Sequence, residues 1–140
     1  MTKPIHFDPS THIVGLSSDF SASKMPERPD PPVPFSGVTF GVATMPENAP
    51  HGGEMHPDGD EVLYLISGRA KVVFLDSDEE DVDVGPGDGL VVPKGMWHRV
   101  DIIEPSQIVY LTPGPNNQFR PVNPGASDQQ QKTRIVLAGD

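Results

Sequence analysis

The chain has 140 residues, a length that fits a single domain with one hydrophobic core. Its formal net charge of −10 argues against nucleic acid as a partner, because phosphates require a basic surface. The absence of cysteine excludes disulfides and thiolate metal ligands, and no apolar run approaches the ~18 residues of a membrane span. The N-terminus also lacks the apolar segment of a secretory signal, so a cytoplasmic location is expected.

Residues 1–37 are predicted to form an extended N-terminal arm. Proline neither donates to a strand ladder nor continues a helix, and this segment holds a cluster of prolines at Pro26, Pro29, Pro31, Pro32 and Pro34. The arm is therefore expected to wrap the domain or a partner subunit. Within it, the run His12–Leu16 is predicted to add a strand at the edge of the sheet.

Residues 38–115 are predicted to form a β-barrel core. The first strand alternates, with one face formed by Val38, Phe40, Val42 and Thr44. Further strands are predicted at residues 53–56, 61–66, 69–75, 82–84, 89–92, 98–103 and 107–111, with a turn at Ser67 and Gly68. Such short strands, punctuated by glycine and proline, are typical of a sandwich or barrel. Residues 116–140 are predicted to pack on the barrel as a loop followed by a last strand or short helix at 133–138.

Two stretches combine metal-binding side chains with turn-forming residues. In the first, Glu54 and His56 lie two positions apart, so in a strand they point to the same face. Glu61 begins the next predicted strand after the turn at residues 57–60, which returns it beside His56. In the second, His98 begins a strand whose inner face is apolar. The four side chains are therefore predicted to meet around one buried metal ion.

The same two stretches resemble the paired signature motifs of the cupin superfamily. The second motif, Gly-x5-Pro-x-Gly-x2-His, is matched without a gap by Gly87, Pro93, Gly95 and His98. The end of the first motif, His-x(3,4)-Glu-x6-Gly, is matched by His56, Glu61 and Gly68. The chain departs from the family pattern at Glu54, where the family has its first histidine, and at Ile102, where asparagine is usual.

The resemblance implies an all-β fold, a double-stranded β-helix or jelly roll, often dimeric, with a divalent metal ion in the barrel mouth. Members include dioxygenases, isomerases, lyases and metal-free binding or storage proteins, so the fold constrains the function only loosely. A small-molecule substrate and a homodimer are the expected partners, with no nucleic acid and no membrane.

Two roles are open for Glu54. As a ligand beside His56, Glu61 and His98, it would make the site harder than three histidines and a glutamate, which favours iron or manganese, with zinc or nickel as further candidates. Off the metal, it would leave two histidines and one carboxylate with three open positions, and it could then act as a general base. The predicted metal ligands are Glu54, His56, Glu61 and His98, with Glu54 also the predicted catalytic residue.

The leading hypothesis is a cupin-type dioxygenase that acts on a small oxygenated substrate. The alternatives are a metal-dependent isomerase or lyase, and a non-enzymatic module that binds a small ligand. Two other residues are considered for the pocket rim. His51 is expected to lie there in a loop rather than on the metal, and Arg120 either clamps a substrate carboxylate or pairs with an acidic residue of the chain.

Overall fold

The computed structural model describes residues 3–27 and 33–122, and these residues form β-strands and no helix. The strands, numbered in chain order, are β1 (His12–Leu16), β2 (Ala22–Glu27), β3 (Gly37–Met45), β4 (Gly53–Met55), β5 (Glu61–Phe74), β6 (Val82–Val84), β7 (Gly89–Val92), β8 (His98–Gly114) and β9 (Gln118–Arg120). These described residues therefore include no helix that could span a membrane.

The two long strands β5 and β8 organise the molecule. They pair antiparallel along most of their length, and this ladder folds over at its middle. The first half of β5 and the second half of β8 lie in one layer with β7, β3, β1 and β2. The other halves lie in a second layer with β6, β4 and β9. The predicted all-β jelly roll is confirmed.

The predicted turn at Ser67 and Gly68 is wrong, because β5 runs through both residues. The β5–β8 pairing shifts register three times between Leu65 and Ala70, so the strand bends through bulges instead of reversing. Gly68 has a φ of +90°, and a Cβ there would stand 2.3 Å from the carbonyl oxygen of Pro105. Only glycine fits this close approach of the two backbones, and the bend carries both strands from one layer to the other.

The folding of this ladder explains why distant residues meet. Glu61 begins β5 at one end of the ladder, where β5 pairs with the end of β8. His98 begins β8 at the other end, where it pairs with Phe74. Because the ladder is bent at its middle, its two ends face each other, and Glu61 and His98 come together at one mouth of the barrel.

The segments outside the predicted core also join the sheet. His12–Leu16 is a strand, but β2 covers its outer side, so β2 forms the edge that was expected of β1. Beyond residue 115, β9 pairs with β4. The predicted strand or helix at 133–138 lies outside the described residues, and the division of the chain at residues 37 and 115 stays a prediction.

Aliphatic and aromatic side chains fill the barrel below its mouth. The inward face is formed by alternate strand positions, and its buried members include Leu63, Leu65, Val72, Phe74, Val84, Val92 and Ile108. A cavity of about 10 Å³ lies among these apolar side chains. This cavity holds at most about one water molecule, so it has no room for a larger ligand.

Candidate metal centre

The four predicted ligands meet at the mouth of the barrel. One ligand atom from each of Glu54, His56, Glu61 and His98 lies within 4.8 Å of the other three. Glu61 is central, with Oε1 at 3.1 Å from Nε2 of His98 and Oε2 at 3.2 Å from Nε2 of His56. Oε1 of Glu54 lies 3.5 Å from Nε2 of His98 and 3.9 Å from Nε2 of His56. The sequence spacing thus identified a real cluster.

The burial of the four side chains shows where this cluster opens. His98 is 0% exposed, and His56 and Glu61 are 3% exposed each. The side chain of Glu54 is 23% exposed. Three of the four side chains are therefore closed off from solvent, and Glu54 lies on the side that solvent can reach.

Hydrogen bonds to the second ring nitrogen orient both histidines. Nδ1 of His98 lies 3.0 Å from the carbonyl oxygen of Met96, an atom that can only accept, so Nδ1 carries the proton. Nδ1 of His56 lies 2.9 Å from Oδ1 of Asn117, which accepts in the same way. In the neutral form of each ring, the lone pair is then on Nε2, the atom that faces the cluster.

The loops around the mouth hold one another in place. The backbone N–H of Asn116 donates to Asp58 at 2.8 Å and its side-chain amide donates at 2.9 Å, which ties the β8–β9 loop to the β4–β5 turn. That turn is also tied by the N–H of Lys94, which donates to Asp60 at 2.8 Å. Since the turn connects His56 with Glu61, these bonds fix the separation of the two ligands.

Glu61 is held by a further hydrogen bond that the sequence did not suggest. The hydroxyl of Thr112 donates to Oε2 of Glu61 at 2.6 Å. Thr112 and Asn117 both contact a ligand side chain, although neither belongs to a motif with metal-ligand spacing. No sequence signal pointed to them, because their position depends on where β8 ends and the following loop crosses the mouth.

The charges of the cluster stabilise one another strongly. Burial by itself raises the pKa of Glu61, but the bonds and charges of His56 and His98 outweigh it and lower the pKa to about 2. Burial lowers the pKa of His98, but the carboxylates of Glu54 and Glu61 outweigh it and raise the pKa to about 10. The same carboxylates overcome burial at His56, whose pKa is also raised.

The cluster fits a divalent cation. Nε2 of His56 is buried and has no hydrogen-bond partner within residues 3–27 and 33–122, although Oε2 of Glu61 is near. Without a metal, the site needs protonated imidazoles to balance its two carboxylates. A divalent ion would supply the same charge with both imidazoles neutral, so its binding would displace up to two protons. Buried carboxylate and imidazole pairs of this kind are the usual ligands of such ions.

These pKa shifts predict how the stability of the metal-free protein depends on pH. The lowered pKa of Glu61 contributes stability that is present above its ordinary value of 4.5 and is lost as the pH falls toward 2. The raised pKa of His98 contributes stability that is present below its ordinary value of 6.5 and is lost as the pH rises through 10. Urea unfolding of the chelator-treated protein should therefore show greatest stability between about pH 4.5 and 6.5.

A saturating divalent metal should move this optimum to higher pH, because the metal and the protons compete for the same nitrogens. A metal-free protein whose stability keeps rising up to about pH 9 would contradict the proposed charge balance.

Removal of the Asn117 side chain should weaken metal binding without removing a ligand. Asn117→Ala frees the ring of His56 to rotate and to change its tautomer, so we expect a loss of metal affinity of about 10–100-fold. Competition with a chromophoric chelator measures the affinity. Asn48→Ala is the matched control, because its amide bonds to the N–H of Ile102 and to Asp101, not to a ligand. Equal affinities of the two variants would refute the orienting role.

The two residues considered for the rim differ in their placement. His51 is partly buried beside Phe119, with 5.3 Å between ring centroids, and it is not a member of the cluster. Arg120 is buried, pairs with Asp76 at 2.5 Å and lies 4.4 Å above the ring of Trp97. The interpretation of Arg120 as the partner of an acidic residue therefore holds in preference to that of a substrate clamp.

The sequence of the chain matches a known protein family. A family model described as the cupin domain matches residues 41–112, just over half of the chain, and this range includes all four residues of the cluster. No curated protein is significantly similar in sequence.

Among solved structures, the chain is similar to a cupin-2 domain protein from Shewanella frigidimarina, with 23% identity over 55% of this chain and 71% of that chain and a TM-score of 0.44. It is also similar to the DMSP lyase DddQ from Ruegeria pomeroyi, with 23% identity, coverage of 55% and 38% and a TM-score of 0.47. For an oxalate oxidase in complex with glycolate, the identity is 18%, the coverage 59% and 45%, and the TM-score 0.46. The matched part spans less than half of each of these two enzymes, and likenesses this distant carry no argument about activity.

Proposed function

The chain belongs to the cupin domain family, and from this membership and the geometry of its mouth we propose that it is a metal-dependent enzyme. The observation that carries the proposal is the meeting of Glu54, His56, Glu61 and His98 with their ligand atoms within 4.8 Å. We propose that these four residues bind one divalent ion. Two imidazoles and the carboxylate of Glu61 are buried, and burying such groups without a cation would be costly unless the imidazoles carry protons.

We propose iron or manganese as the metal. Two carboxylates among four ligands make the site hard, and hard oxygen ligands suit these ions better than copper. Zinc and nickel are the alternatives, because imidazole also suits them. When bound, a redox-active ion would supply the Lewis acidity and the electrons that a reaction with dioxygen needs.

The residues of the chain would prepare this site before any substrate arrives. Met96 and Asn117 hold the two imidazoles with Nε2 toward the cluster, and Thr112 holds the central carboxylate. Three ligands are closed off from solvent, which protects the metal and lowers the local dielectric constant. A substrate would approach from the side of Glu54, the exposed ligand.

We propose that Glu54 is a ligand. Its Oε1 lies within 4 Å of Nε2 on both histidines, a position from which it can share the same ion. Because it also lies at the open side, a carboxylate oxygen of Glu54 could receive a proton from a substrate that displaces it. Ligation and the role of a base are thus compatible at different stages of one reaction.

The proposed reaction is the dioxygenation of a small molecule with adjacent oxygen atoms. An oxygen electrode tests it, with the protein loaded anaerobically with iron or manganese and offered small hydroxy and keto acids. Oxygen uptake that requires both metal and acid would support the dioxygenase. Conversion of the acid without oxygen uptake would instead indicate an isomerase or lyase. Thermal stabilisation by an acid that is never converted would indicate a binding module.

We also propose a cytoplasmic homodimer. The outer face of the first layer carries exposed apolar side chains on neighbouring strands, and these include Val62, Tyr64, Val91 and Leu111. Two chains of net charge −10 repel each other, so an uncharged apolar face is where a second copy could pack. Light scattering in solution tests this state.

A further inference from the structure

We infer that Phe119 and His51 form an aromatic rim that contacts the substrate, and that the substrate carries a planar apolar group beside its metal-binding oxygens. This inference rests on the proposed function, because it concerns what binds at the metal. It assigns to Phe119 the selection of substrates, a role separate from holding the ion.

The strand pairing places Phe119 at the open side of the cluster. Glu54 lies in the short strand β4, between β8 and β9, where it pairs with His98 on one side and with Phe119 on the other. Directly paired residues of antiparallel strands project from the same face, about 5 Å apart. The side chain of Phe119 therefore stands beyond Glu54, on the face of the sheet that carries the ligands.

Phe119 is a large apolar side chain that the fold does not bury. It is 51% exposed, and its ring contacts the ring of His51 at 5.3 Å with an angle of 57° between the planes. Phe119 therefore presents an exposed aromatic ring beside the partly buried ring of His51. An exposed aromatic surface next to a polar cluster is typical of a ligand-binding site, where apolar walls surround a few polar groups.

The apolar cavity below the mouth is too small for a substrate. The cavity below the mouth is about 10 Å³ and is lined by apolar side chains, among them Leu63, Val72 and Ile108. His56, Glu61 and His98 are also closed off from solvent. We therefore expect a molecule whose oxygens reach the ion to extend outward past Glu54, the exposed member of the cluster, toward the rim.

This arrangement indicates the chemical class of the substrate. Adjacent oxygen atoms, as in a 2-hydroxy acid, suit an ion with open positions. A flat apolar substituent suits the face of Phe119, because aromatic rings gain from stacked or edge-to-face contact in addition to the burial of their area. We therefore assign an aryl-substituted hydroxy acid or a close relative as the ligand class.

A matched pair of probes tests the rim. Lactate and mandelate present the same hydroxyl and carboxylate to a metal, but lactate carries a methyl group where mandelate carries a phenyl ring. Titration of Co²⁺-loaded protein, followed by the visible absorption of the ion, gives both dissociation constants. We expect mandelate to bind about tenfold more tightly than lactate, and Phe119→Ala to reduce this ratio to about one with lactate affinity unchanged.

Phe20→Ala is the control, because Phe20 is 82% exposed in the turn between β1 and β2 and should leave the tenfold ratio intact. Unchanged lactate binding by Phe119→Ala also shows that this variant is folded. Equal binding of the two acids by the wild-type protein, or a ratio that survives Phe119→Ala, would overturn the inference while leaving the metal site in place. A wild-type protein that does not take up Co²⁺ would overturn the proposed function itself.

Discussion

Replacement of His98 by alanine is expected to abolish metal retention and, with it, all activity. His98 is fully buried, and its Nε2 lies 3.1 Å from Glu61 and 3.5 Å from Glu54. The substitution therefore removes one of the two imidazole nitrogens of the cluster, and the short alanine side chain offers no replacement. We expect metal affinity to fall by at least about 100-fold, more than for the loss of a residue that only orients a ligand. Competition with a chelator measures this loss.

The same loss is expected for His56→Ala. His51→Ala is the matched control, because this histidine lies before β4, on the other side of that strand from His56, and is not in the cluster, so the variant should retain the metal. Stoichiometric metal in either His98→Ala or His56→Ala would show that the ligand set is wrong.

Replacement of Glu61 by glutamine should destabilise the metal-free protein more than any other single change of charge in the cluster. The carboxylate of Glu61 accepts a hydrogen bond from Thr112 and lies against both histidines. Its removal leaves the buried imidazolium groups without the carboxylate that lies nearest to both of them, and breaking one partner of such a pair costs about 3 kcal/mol. Urea unfolding at about pH 6, where the imidazoles are charged, measures the free energy of unfolding.

Glu54→Gln is the matched control, because it makes the same substitution of glutamate by glutamine at the other carboxylate of the cluster. Its side chain is 23% exposed and its nearest imidazole nitrogen is 3.5 Å away, so solvent screens its interactions and we expect a loss below about 1 kcal/mol. NMR titration gives a second readout, since the pKa of His98 should fall toward its ordinary value in Glu61→Gln. Equal stability losses in the two variants, or an unchanged pKa of His98, would contradict the central position of Glu61.

The sequence predicted which side chains would meet at the mouth, because their spacing follows simple strand geometry. Glu54 and His56 share a face at a separation of two residues, and the turn at residues 57–60 returns Glu61 beside them. The strands Val82–Val84 and Gly89–Val92 were also predicted with their observed bounds. In each case, glycine, proline or acidic residues mark the ends of short apolar runs, so the local signal was sufficient.

Long-range geometry was not predictable in this way. Ser67 and Gly68 have the composition of a turn, but the continuous pairing of β5 with β8 makes them a bulge. A glycine with positive φ occurs both in turns and in bulges, and only the pairing with the partner strand decides which of the two forms. The fold-over that results is what brings Glu61 to His98, 37 positions apart in the chain.

The residues that hydrogen-bond to the side chains of the cluster could not be predicted from the sequence for the same reason. Asn117 and Thr112 reach their ligands from the end of β8 and the loop after it, 61 and 51 positions from the residues that they contact. Asn and Thr are common in loops and strands, so neither residue type carries a signal by itself. The role of Phe119 depends equally on the pairing of β9 with β4.

The metal content of protein purified freshly without added metal, measured by elemental analysis, decides whether the metal centre exists. We predict one equivalent of iron or manganese per chain in the wild-type protein and none in His98→Ala purified in parallel. A wild-type protein with no more metal than the His98→Ala variant, and none taken up on anaerobic loading, would contradict the metal centre.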